Sequence, residues 1–208
     1  MAESRVASIT PEEHRQMTVQ GVGREEEIYT KRFSPAEEQA RAETWEVLVR
    51  DFLQPRIDRN AVVVDIGAGD GHFITRVAAR RRIAVDLSPH VHELASKGVE
   101  ILQVPATDFA ARLNEPADCV FMSNFLEHLP DKRVLLEVLE ETRRALRPGG
   151  TLMILQPNIR YVGPAYWDYI DHHIALTEHS LVEALEVSGF EVVQLIARFL
   201  PYTAKSNT

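Results

Sequence analysis

The residues in this chain best suited to chemistry are acids beside glycines and a few clustered histidines. Asp65-Ile66-Gly67-Ala68-Gly69-Asp70-Gly71 sets a carboxylate ahead of a turn with glycine at every second position. The run Val62-Val63-Val64 before it reads as a buried strand, and Phe73, Ile74, Val77 and Ala78 after it fall at helical spacing. A strand, a glycine turn and a helix start let backbone N–H groups approach a ligand closely. A dinucleotide fingerprint would need glycine at its last position, where this chain has His72. The Gly-Lys-Ser/Thr ending of a phosphate-binding loop is absent too. An acid beside the glycines repels a pyrophosphate and suits a ligand with a cationic ammonium.

More polar residues fall where further strands end. Asp86, followed by Leu87 and Ser88-Pro89, could accept both ribose hydroxyls of a nucleoside from a ligand cleft, with no part in holding the core. The alternative is a plain cap for the helix that Pro89 opens, though Ser88 fits that cap better. Asp108, followed by Phe109, suits an adenine amino group, with the next backbone N–H on a ring nitrogen; it also fits a helix cap. Ser123 and Asn124 end the fourth strand and would face the remaining half of the ligand. Three histidines are candidate bases: His128, His172 and His173. His128 could instead organise its loop. His172 and His173 lie in Tyr166-Trp167-Asp168-Tyr169-Ile170-Asp171-His172-His173, which reads either as an acceptor pocket or as a packed surface loop.

Positioning these groups takes alternating strands and helices. Strands are predicted at Val62–Ile66, Ile83–Asp86, Val99–Val104, Cys119–Met122, Thr151–Leu155 and Glu191–Ile196. Helices are predicted to start at Ser34-Pro35, with Trp45, Leu48, Val49 and Phe52 on one face, and near Gly71, Pro89, Thr107, Asp131 and Thr177. The pattern is an α/β fold: a Rossmann-like doubly wound, mostly parallel sheet. In such sheets ligands bind at the C-terminal strand ends where the strand order reverses. Residues 1–33, polar and charged, read as a mobile arm, and 34–208 as a single domain.

Four segments in order carry a resemblance. They are Asp65–Gly71; Val85-Asp86-Leu87-Ser88; Asp118-Cys119-Val120-Phe121-Met122-Ser123-Asn124-Phe125-Leu126-Glu127-His128-Leu129; and Leu146-Arg147-Pro148-Gly149-Gly150. The chain resembles a class I S-adenosylmethionine-dependent methyltransferase, of the small ubiquinone-biosynthesis-like type 11 and type 23 group, over about residues 35 to 200. The cofactor implied, S-adenosylmethionine, is one the acid-and-glycine turn points to on its own. The resemblance implies the class I methyltransferase fold with strand order 3-2-1-4-5-7-6. It implies cofactor contacts from Gly67, Ala68 and Gly69, from Asp86 and Leu87 at the ribose, from Asp108 and Phe109 at the adenine, and from Ser123 and Asn124. Asp65 would organise the loop and favour the ammonium. The segment from Pro157 to His173 also resembles small methyltransferases of bacterial glycan assembly, which favours a sugar or lipid-linked acceptor.

The bulk numbers narrow the alternatives. A net charge of -8 argues against nucleic acid as partner and for a small-molecule acceptor. The basic group Arg76, Arg80, Arg81 and Arg82 reads as a helix end complementing its dipole. With one cysteine, Cys119, there is no internal disulfide and no zinc cluster, and no metal site is expected. No signal peptide or membrane span is evident, so a cytoplasmic location is expected. Two rival functions remain open: a non-catalytic cofactor-binding or assembly module, and an NAD-dependent oxidoreductase, against which Asp65 and His72 argue. One departure from the family stands out. Few residues follow Ile196, and Pro201 cannot donate to a sheet ladder, so the final antiparallel strand should be missing or shortened. A second copy of the chain, through Phe199, Leu200 and Tyr202, or the 1–33 arm would then cover the edge.

Overall fold

The structure, a computed structural model, describes residues 34–200. Five parallel strands form one sheet in the order β3-β2-β1-β4-β5. They are β1 (Val62–Ile66), β2 (Arg81–Val85), β3 (Glu100–Leu102), β4 (Ala117–Ser123) and β5 (Leu146–Leu155). The order reverses between β1 and β4, so a crevice opens at their C-terminal ends.

β-branched residues in β1 place side chains alternately on two covered faces. Val62, Val64 and Ile66 pack with Val120, Met122 and the buried stripe Leu135, Val138 and Leu139. That stripe belongs to helix α2 (Lys132–Ala145), capped by the Asp131 side chain. Val63 packs on the other face with Phe73, Phe121 and Leu48. Leu48 ends helix α1 (Pro35–Leu48), whose Ser34 and Glu37 form a reciprocal capping box. Cys119 is buried, and burial pushes its thiol up to about 12, so it is an inert core residue.

Several predicted elements differ in the structure. After Gly71 the chain makes turns rather than a regular α-helix, with the Thr75 and Val77 N–H groups donating to the Gly71 and Phe73 carbonyls, before β2 begins at Arg81. Pro89–Lys97 winds as 3-10 turns, and only Ala110–Arg112 coils after Thr107. The Arg cluster therefore ends no helix. Arg80 and Arg81 pair with Glu115, and Arg81 also with Glu100.

The expected strand at Glu191–Ile196 is not formed; it lies beyond helix α3 (Glu178–Val187) as irregular chain with Val193 83% exposed. Among the described residues no strand pairs with the outer side of β5. The Phe199 ring packs 4.4 Å from Phe52 of the same chain and stays 38% exposed, as does Leu200 at 39%. Tyr202 and the 1–33 arm lie outside the described residues.

Candidate active site

The glycine turn leaves β1 with Gly67, Gly69 and Gly71 all at positive φ. At Gly67 a Cβ would lie 2.5 Å from Phe125, so only glycine lets the loop after β4 close against the turn. At Gly69 a Cβ would meet nothing within 4 Å. The backbone there faces open space of the kind a ligand fills.

Asp65 is 3% exposed and does not face that space. Burial, and next the charge of Asp86, hold its carboxyl well above the ordinary value, while the Ile74 N–H opposes the shift. Its carboxyl accepts the Ile74 N–H, a contact that ties the turn to the chain after it. Asp86 clasps the turn from the side: its Oδ2 accepts the Gly69 N–H at 2.8 Å and its Oδ1 the Ser88 N–H at 2.8 Å. Ser88, not Asp86, caps the Pro89 turn. Leu87 is half-buried, and its carbonyl accepts from Gln103 at 3.1 Å.

The remaining predicted contacts fall on the same rim. Asp108 is exposed at the end of the loop after β3, 3.4 Å from Arg112. The Phe109 side chain is fully buried in the core, so its backbone is the part that can meet a ligand. Ser123 ends β4. Asn124 takes φ 45° and its N–H donates to the Leu155 carbonyl, which binds the loop to β5.

The three histidines separate. His173 is exposed, and its backbone N–H donates to the Glu127 carbonyl at 2.8 Å, as does that of Ile174 at 3.1 Å. Those two bonds fold the loop after β5 onto the loop after β4, and they bring His172 beside His128 with ring centroids 5.2 Å apart. His172 is buried, with Nδ1 2.8 Å from the Tyr166 carbonyl. The Tyr166 hydroxyl in turn donates to the Ile174 carbonyl. His128 is half-buried, with Nδ1 3.0 Å from the Asp171 carbonyl and 3.4 Å from its Oδ2.

Glu127, Asp171 and Tyr166 are parts of this cluster that the sequence did not single out. Glu127 is 1% exposed, and burial pushes its carboxyl up to about 7. Gln156 donates to it at 2.9 Å. Its position inside the Glu127-His128 pair was visible; its contact with a loop some forty residues on was not.

A parallel sheet in the order β3-β2-β1-β4-β5 and a glycine turn clasped by the acid after β2 fit the class of S-adenosylmethionine-dependent methyltransferases. The methyltransferase-domain model Methyltransf_23 matches residues 37–195, and the chain belongs to that family. A trans-aconitate 2-methyltransferase of Azoarcus sp. (strain BH72) is 32% identical over 114 residues, 52% of this chain and 44% of that protein. A probable methyltransferase, ltbC, of Aspergillus luteorubrus is 27% identical over 118 residues, 49% of this chain and 41% of that one. The chain thus spans less than half the length of these curated relatives. Among solved structures, a SAM-dependent methyltransferase from Archaeoglobus fulgidus superposes with TM-score 0.62 at 23% identity, over 72% of this chain and 69% of that chain. The class I fold expected from the sequence is the one found. Among the described residues no helix is long and apolar enough to cross a membrane.

Proposed function

We propose that this chain transfers a methyl group from S-adenosylmethionine to a small-molecule acceptor held against the loop Tyr166–His173. The observation that carries the reading is the open space over Gly69, with Asp86 fixed beside it, on the rim that also holds His128 and His172. When bound, the cofactor supplies an electrophilic methyl on a sulfonium. The chain's own groups do the rest. Backbone at Gly67, Ala68 and Gly69 approaches the ligand. Asp86 and Leu87 meet the ribose, Asp108 and the Phe109 backbone the adenine, and Ser123 and Asn124 the methionyl half. Asp65 keeps the turn in shape. His172 and His128 orient the acceptor and take up its proton, and His173 stands at the mouth of the loop.

The acidic balance of the chain, -8, favours a small acceptor over nucleic acid. A sugar or lipid-linked intermediate is the class that the Pro157–His173 segment supports. The test is transfer of labelled methyl from S-adenosylmethionine to pooled sugars, lipid-linked sugars, phenols and carboxylic acids. Labelled product in one pool is expected. Cofactor binding with no transfer to any pool would favour the non-catalytic module instead.

A further inference from the structure

We propose that Glu127, His128 and His172 form a binding site for a divalent transition-metal cation. One donor atom from each lies within 4.8 Å of the others. The ring tautomers are set by what each Nδ1 touches. Carbonyl oxygens only accept, so Nδ1 of His172, 2.8 Å from the Tyr166 carbonyl, carries its hydrogen. The same holds for His128, whose Nδ1 faces the carbonyl and carboxylate of Asp171 at 3.0 and 3.4 Å. In a neutral ring this leaves the lone pair on Nε2. Imidazoles that donate one N–H to a carbonyl or carboxylate and offer the other nitrogen are how proteins present histidine to metals.

The carboxylate is placed to complete the set. Glu127 Oε1 lies 4.0 Å from His128 Nε2. Metal bonds of about 2.0–2.2 Å would set tetrahedral donors about 3.3–3.6 Å apart, so closure draws this pair together by about 0.5 Å and the widest pair by up to about 1.5 Å, within the reach of side-chain rotation. A second observation points the same way. Gln156 holds the other Glu127 oxygen through Nε2, yet its buried Oε1 has no hydrogen-bond partner. A cation, or water on a cation, would satisfy it.

Two imidazoles and one carboxylate suit zinc or ferrous iron, where calcium and magnesium prefer all-oxygen sets. Three protein donors leave at least one position for water or an acceptor oxygen. The expectation of no metal rested on the single cysteine, and this set uses none. The other acid-and-histidine group, Glu38, Asp70 and His72, carries its own cation: Arg41 lies 2.6 Å from Glu38 and 4.0 Å from Asp70. A role for the cation in polarising the acceptor rests on the methyl-transfer reading and replaces proton uptake by the two imidazoles, whose Nε2 lone pairs the cation occupies; the site itself does not rest on that reading.

The test uses the whole chain, stripped with a chelator and titrated with zinc chloride alone, read by calorimetry and by metal analysis after desalting. One equivalent of zinc is expected. His172→Ala, His128→Ala and Glu127→Gln should each weaken it at least tenfold, with Asp171→Asn weakening it about 10- to 100-fold through His128. Cobalt should give visible absorption bands that His172→Ala abolishes. Circular dichroism on each variant checks folding, and if Glu127→Gln unfolds, the histidine variants decide. No zinc uptake, or uptake unchanged in both histidine variants and lost in His72→Ala, would overturn the site. S-adenosylhomocysteine binding without zinc uptake would overturn it while leaving the methyl-transfer reading standing.

Discussion

Replacing Asp86 by alanine should weaken both the glycine turn and the cofactor site. The sequence alone suggested a carboxylate with no part in holding the fold. The structure gives it two backbone partners, the N–H groups of Gly69 and Ser88, each at 2.8 Å. Hydrogen bonds to charged groups contribute about 1.5–3 kcal/mol when buried. Asp86 is half-buried and Gly69 exposed, so water can replace much of both bonds. The pair together is then worth about 1–2 kcal/mol. Urea unfolding of the unliganded variant should show that loss. Calorimetry with S-adenosylhomocysteine should show a further loss of about 1.5–3 kcal/mol in binding, roughly 10- to 150-fold, as the ribose hydroxyls lose a charged acceptor. Asp86→Asn, which keeps one acceptor, should fall between. Reduced stability with unchanged affinity would make Asp86 a clasp for the turn and refute the ribose assignment. Unchanged stability would show that the two backbone bonds contribute nothing.

Three further outcomes follow from the same geometry. Gly67→Ala should cost about 2–5 kcal/mol, from a left-handed backbone at φ 68° and the clash with Phe125 2.5 Å away; Gly69→Ala, facing open space, should cost only the backbone part of about 1–2 kcal/mol but lose ligand binding. Denaturant titration with and without S-adenosylhomocysteine separates the two. Asp65 holds its proton in the folded chain at pH values where the unfolded chain has released it, so its contribution is complete below about pH 4 and is lost as pH rises through the folded-state value. Stability of the wild type relative to Asp65→Asn should therefore fall with rising pH, at up to about 1.4 kcal/mol per unit; a constant difference across pH 4 to 8 would contradict the burial argument. His172→Ala should lose turnover yet keep cofactor affinity, and full turnover in that variant and in His128→Ala would leave proximity alone as the account.

The sheet was legible because its strands announce themselves locally. Val62–Ile66 and Cys119–Met122 are apolar runs that any buried parallel strand requires, and both appear within a residue or two of the expected bounds. Capping made α1, α2 and α3 equally readable, through Ser34, Asp131 and Thr177. The failures come from non-local constraints. Phe73, Ile74 and Val77 have helical spacing, but the segment forms turns, and its apolar residues are set by packing into the core with Leu48 and Phe121. Glu191–Ile196 has strand composition, but pairing partners decide whether a strand forms. At the candidate site, Asp86 stands out in the sequence by its place after a strand, whereas its bond to Gly69 depends on two loops meeting. Glu127 is the clearest loss. It sat in a quoted motif, and its burial against Gln156 and His172 exists only once the loop after β5 folds back.

The central claim is that the glycine turn and Asp86 form a site for S-adenosylmethionine. Thermal unfolding of the full chain with S-adenosylhomocysteine and, separately, with NAD tests it most directly. Ligand that binds only the folded state stabilises it by about 2.7 kcal/mol at a hundredfold excess over its dissociation constant. The account predicts a rise in melting temperature with S-adenosylhomocysteine and none with NAD. A shift with NAD and none with S-adenosylhomocysteine would contradict it.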